Sequence, residues 1–164
     1  MRIKIMKRIP AVLAAAGLAI LLPGPAWAAS GPQPASGTVL VTSVTVDSSS
    51  AADGNTILVI TISGLMNGTF DGTFTETDQE VIHPDGTITL AGKGMQSGTL
   101  GTCGTGSAAY VIEAQGTAAA VTGRFQFIDQ SASTSTPTKI HSVVTFTGST
   151  ITGQFTYTGT YYCT

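Results

Sequence analysis

Strict period-2 alternation, interrupted at short intervals by turn residues, confines this chain to antiparallel β structure. The pattern is clearest from Gly68 to Gly92, where Phe70, Gly72, Phe74 and Glu76 fall on one face and Thr69, Asp71, Thr73 and Thr75 on the other. Pro84-Asp85-Gly86 then reverses the chain: proline presets φ, Asp bonds its own backbone and Gly supplies φ > 0. Ile88 and Leu90 return on a partner strand.

The same signals recur along the sequence. Residues 37–46 and 56–63 are β-branched nearly throughout and read as the first two strands, separated by a polar loop over 47–55. Asp47, Asp53 and Asn55 in that loop lack the spacing of an EF-hand and suit a solvated turn better than a calcium site. Asn67-Gly68 is a hairpin dipeptide and, with Thr69, formally a glycosylation sequon. Gly92, Gly94, Gly98, Gly101, Gly104 and Gly106 suggest bulges and tight turns, since no Gly-Lys-Ser/Thr ending accompanies them. Strands follow over 108–114 and 118–128, then a Ser/Thr-rich loop over 131–138 and a strand over 139–147. Gly148-Ser149 fits a two-residue turn into a last strand over 150–163.

About eight strands without a helical pattern imply an all-β protein, either a closed calycin-like barrel or a β-sandwich. Glycines at strand positions, where a small barrel must bend, favour the barrel. An immunoglobulin-type core would want a Trp, and the single Trp, Trp27, lies near the N-terminus. Its absence from the domain also argues against an avidin-type site. Alternation places Phe70, Phe74, Phe125, Phe127, Phe146, Phe155 and Tyr157 inside.

The N-terminus carries Arg2, Lys4, Lys7 and Arg8, an apolar run from Ala11 to Leu22, and Ala26-Trp27-Ala28. This reads as a signal peptide over 1–28, cut near Ala28, so that the protein is secreted, extracellular or periplasmic. The run is shorter than the ~20 residues that span a bilayer, and no membrane span is expected. Residues 29–36, with Pro32 and Pro34, read as a flexible leader, and 37–164 as a single barrel domain. Cleavage leaves three of the seven Lys and Arg against nine Asp and Glu, a net charge of about −6. Such a chain lacks the basic footprint of a nucleic-acid partner. Cys103 and Cys163, the only cysteines of an exported chain, are expected to form a disulfide.

Glu76, Asp78, Glu80 and His83 cluster near the end of the third strand. On a strand and turn a Glu-x-x-His spacing does not converge as on a helix, so no metal site is expected, and nothing asks for a cofactor. Glu76 shares the parity of Phe70 and Phe74, whereas Val81 wants the opposite phase, so a bulge or the barrel rim must fall between them. If the bulge lies beyond Glu76, its carboxylate sits at the inner mouth with a raised pKa; if before, it faces water. Glu113, Arg124 and His141 alternate outward and His83 belongs to the turn. No Gly-x-Ser-x-Gly elbow is present, and no catalytic residue can be assigned.

Gly72-Thr-Phe-Thr-Glu-Thr, Ile82-His-Pro-Asp-Gly-Thr, Gly92-Lys-Gly, Ser97-Gly-Thr-Leu and Gly123-Arg-Phe resemble a bacterial family of secreted or cytosolic proteins in the allene oxide cyclase-like barrel superfamily. The resemblance runs from Gly68 to Ile128 and implies an eight-stranded barrel with a hydrophobic cavity. Related plant cyclases bind a fatty-acid epoxide and other relatives close polyketide rings, with an interior carboxylate steering a confined substrate. Glu76 alone fits that role, and the cysteine pair and Thr-rich C-terminal half depart from the pattern. The expected function is binding of a small apolar molecule, with Glu76, Phe74, Tyr110, Phe125, Phe127, Phe155 and Tyr157 as ligand contacts. A cyclase or isomerase and a cell-envelope interaction domain without a pocket are the alternatives, and the sequence leaves the oligomeric state open.

Overall fold

The computed structural model describes residues 31–131 and 139–164. The strands are β1 (Gln33–Ala52), β2 (Asn55–Gly68), β3 (Phe70–Ile82), β4 (Thr87–Leu100), β5 (Thr105–Thr117), β6 (Ala120–Ser131), β7 (Ile140–Ser149) and β8 (Gln154–Cys163), with one 3-10 turn at Gly101–Cys103. Each pairs antiparallel with the next, and β1 also pairs with β8, so a single sheet closes on itself as a barrel. Closure excludes the two-sheet sandwich. Residues 1–28, read as a signal peptide, and most of the Ser/Thr-rich loop lie outside the described residues.

Three expected boundaries move. The stretch read as a leader is already strand from Gln33, which pairs with Tyr161, and Ala35 is buried against the core. Pro34 is tolerated because Ser36, two residues on, exchanges hydrogen bonds with Thr69 on the side away from β8; Pro34 therefore aims its missing N–H at an unpaired edge. The loop expected over 47–55 is strand except for Asp53-Gly54, whose φ values of 51° and 80° suit a type I′ turn. Its polar sequence misled because Ser43–Ala52 pairs only with β2 and is exposed throughout, leaving no apolar face to alternate. Gly148 and Ser149 remain paired with Phe155 and Gln154, and the turn falls at 150–153, where Ser149 and Thr150 hydroxyls donate to the Ala118 carbonyl.

The glycines of β4 are not bulges either: β4 pairs with β3 and β5 without a register shift. Gly92 and Gly94 lie beneath inward side chains of neighbouring strands, as Gly64 of β2 lies beneath Phe74 and Gly37 of β1 beneath Tyr157, while Gly98, at φ 144°, faces only the backbone of Asp71 and Gly72. An eight-stranded barrel is barely wide enough for its own side chains, and removing a Cβ beside each large ring is how these fit.

Six of the seven rings placed inside by alternation are buried, and Phe155 is half-buried against them. One end of the barrel is filled solid. Phe70 stacks on Tyr157 with centroids 5.7 Å apart and meets Phe127 edge-on at 5.1 Å. The Tyr157 hydroxyl accepts the Phe70 N–H at 2.9 Å, and Tyr161 accepts the Thr102 N–H at 3.1 Å. Cys103 and Cys163 are disulfide-bonded across this end, with Cα atoms 5.4 Å apart.

Candidate ligand cavity

Above the aromatic plug the barrel is hollow. A cavity of about 260 Å³ is lined by Val39, Val41, Ile62, Phe74, Tyr110, Phe125 and Phe155, with Glu76 and Glu80 among these apolar groups. It reaches Thr150 and Gly153 of the β7–β8 turn and Val44, which is 56% exposed, so it opens at the end carrying that turn.

Of the residues expected to touch a ligand, Glu76, Phe74, Tyr110, Phe125 and Phe155 line the cavity. Phe127 and Tyr157 do not; they belong to the plug, packed on Phe70. Their parity was right, but parity fixes a face and not a height along the barrel axis. Contacts from β1 and β2, including Val39, Val41, Ile60 and Ile62, were missed although the alternation of both strands carried the signal.

β3 supplies the polar wall. No bulge separates Glu76 from Val81: β3 pairs in continuous register with β2 and β4, and Phe70, Phe74, Glu76 and Asp78 are all buried. Glu80 follows, half-buried, nearer the open end, so Glu76 sits in the wall below the mouth instead of at the rim. Ladder bonds on both sides hold β3 in phase even where this turns acids inward.

Glu76 and Tyr110 are both register partners of Gly94 on the strand between them. The Tyr110 hydroxyl reaches over this glycine and donates a 2.6 Å hydrogen bond to Glu76 Oε2. Burial raises the Glu76 carboxyl above the ordinary glutamate range, and the bond from Tyr110 partly opposes the shift. The Tyr110 phenol is itself pushed up, by burial and then by the Glu76 charge.

Asp78 is 1% exposed and sits over Gly92, its register partner. Among the described residues none hydrogen-bonds to either of its carboxyl oxygens. Burial, then the neighbouring Glu76 charge, raises its pKa to about 8, and burial raises Glu80 as well. The inner wall thus carries three carboxyl groups biased toward their neutral forms. His83 is not drawn into this row: its Nδ1 lies 2.9 Å from Asn55 Oδ1 at the turn. Asp47 accepts a hydrogen bond from Thr61, away from Asn55, which dissolves the calcium-like grouping. Outside, Arg124 pairs with Glu113 at 2.9 Å, both exposed.

No family model and no curated protein matches the chain.

Proposed function

We propose that the protein is a secreted barrel that binds one small lipophilic molecule in this cavity, with Glu76 as its polar contact. The observation that carries the reading is a hollow, apolar interior interrupted by a buried carboxyl hydrogen-bonded to Tyr110. An apolar cavity of about 150 Å³ takes a benzene, so 260 Å³ suits a ligand of about ten non-hydrogen atoms. The N-terminal charge and apolar pattern and the disulfide support export.

A cyclase or isomerase is the second reading. The Glu76–Tyr110 pair favours it, since a carboxyl of raised pKa beside a phenol in a confined apolar space can move a proton on a bound substrate. The resemblance to allene oxide cyclase-like barrels points the same way.

Calorimetric titration with neutral straight-chain alcohols tests the binding reading. Affinity should rise by about 0.8 kcal/mol per added CH₂, near fourfold, and level off as the cavity fills. Absence of binding, or affinity indifferent to chain length, would overturn it.

A further inference from the structure

The buried acids of β3 lack the partners that would keep them charged. Glu76 and Asp78 follow one another on the inner face, 7% and 1% exposed, and among the described residues the donor that reaches them from another strand is the Tyr110 hydroxyl, on Glu76 Oε2. The other elements packed on them bring no charge. β2 places Ile60 and Ile62 opposite the two acids, β4 places Gly92 and Gly94, and across the cavity stand Val39, Val41, Phe125 and Phe155. Glu80, the third acid of this face, adds only like charge, and Lys93, Arg124 and Lys139 are all exposed. Two neighbouring carboxyls in apolar surroundings without a cation do not both ionise near neutrality, so the pair retains a proton.

The two acids stand differently to the cavity. Glu76 lines it, whereas Asp78 is enclosed over Gly92. Resting on the binding reading above, we infer that uptake of a neutral lipophile is coupled to uptake of a proton by the Glu76–Asp78 pair, so that the barrel loads at acid to neutral pH and unloads as the pair ionises. The ligand acts through Glu76: its methylenes replace cavity water against that carboxyl and withdraw solvation from the charged form. Asp78 responds because the charge on Glu76 bears directly on it, and the two acids titrate as a pair.

Linkage fixes the direction. Where both carboxyls are neutral with or without ligand, affinity is highest and does not vary with pH. Burial raises both groups, Asp78 to about 8. As pH climbs through that range the empty barrel gives up a proton that binding must restore from solvent, and affinity falls until the loaded barrel is ionised as well. A pKa raised by about one unit in the loaded state makes the whole fall about tenfold.

The experiment is calorimetry with 1-nonanol from pH 6 to pH 8.5, in buffers of different ionisation enthalpy, on the wild type and on Asp78→Asn, with near-UV circular dichroism showing that each sample is folded. The wild type should take up protons from the buffer at pH 8, a result that needs no variant, and should bind up to about tenfold more weakly at pH 8.5 than at pH 6. Asp78→Asn, which has no proton to lose near 8, should lose both effects above pH 7. Wild-type affinity that stays flat over this range with no proton uptake would overturn the inference and leave the binding reading standing. A fall equally steep in both proteins would place the proton elsewhere and overturn it too. Binding at no pH would overturn both.

Discussion

Tyr110 on β5 donates a 2.6 Å hydrogen bond to Glu76 on β3 across a glycine of the strand between them, and neither side chain reaches bulk water. The bond is the larger of the two interactions that lower the Glu76 pKa against burial, the other coming from Asp78 on the same strand. Tyr110→Phe should therefore drive the Glu76 carboxyl further upward and cost about 1–3 kcal/mol of stability, since an acceptor is left buried without its donor. Carboxyl ¹³C NMR titration reads the first effect and denaturant unfolding the second.

Gly94 makes that reach possible. A β-carbon at this position would lie 2.5 Å from the Tyr110 ring and 2.8 Å from Glu76 Cβ, so one of the two must move. Gly94→Ala should destabilise by about 1–3 kcal/mol through overpacking. It should also weaken alcohol binding, because the displaced rings and acid form the cavity wall.

The buried acids set the direction of the pH response. Asp78 titrates near 8 in the folded protein, against about 4 in an unfolded chain, and between these values the folded state holds a proton the unfolded state has lost. Stability contributed by the neutral carboxyl is thus present at acid pH and lost as pH rises toward and through 8, with Glu76 acting in the same sense. Asp78→Asn should melt well above the wild type at pH 9, by an amount on the order of 3 kcal/mol, and close to it at pH 5. A constant difference across pH would mean Asp78 is not buried as a neutral acid.

Replacing both Cys103 and Cys163 with Ser removes a cross-link spanning 60 residues and should cost about 4 kcal/mol. The bond closes the plugged end, so alcohol binding at the open end should survive at temperatures where the variant is folded. Non-reducing digestion and mass spectrometry of the wild type should recover the linked peptides.

Most of the fold was legible because closed antiparallel sheets write their inner face into the sequence every second residue. Phe70 and Phe74 could be placed inside from β3 alone, Glu76 only on the condition that no bulge preceded it, and the Pro84-Asp85-Gly86 turn set its partner. What alternation could not convey was height and neighbours. Phe127 and Tyr157 share a face with Phe125 and Phe155, yet the first two fill the plug and the second two line the cavity. Asp78 escaped notice as an inward group because Val81, an apolar residue of the opposite parity, called for a change of phase or the barrel rim between it and Glu76. Ladder pairing on both sides of β3, with Gly92 making room, decided otherwise. Gly92 and Gly94 of β4 read as bulge or turn formers when they are seats for the side chains of Asp78 and Tyr110, a role that only register reveals.

The central claim, a ligand held inside the barrel by Glu76, is tested most directly by a crystal structure of the protein grown with a straight-chain alcohol carrying bromine at its far end. The account expects an anomalous bromine peak within the cavity among Val39, Ile62 and Phe155, with the hydroxyl in hydrogen-bond range of the Glu76 carboxyl. Bromine found only on the outer surface, with water alone beside Glu76 and Tyr110, would contradict it.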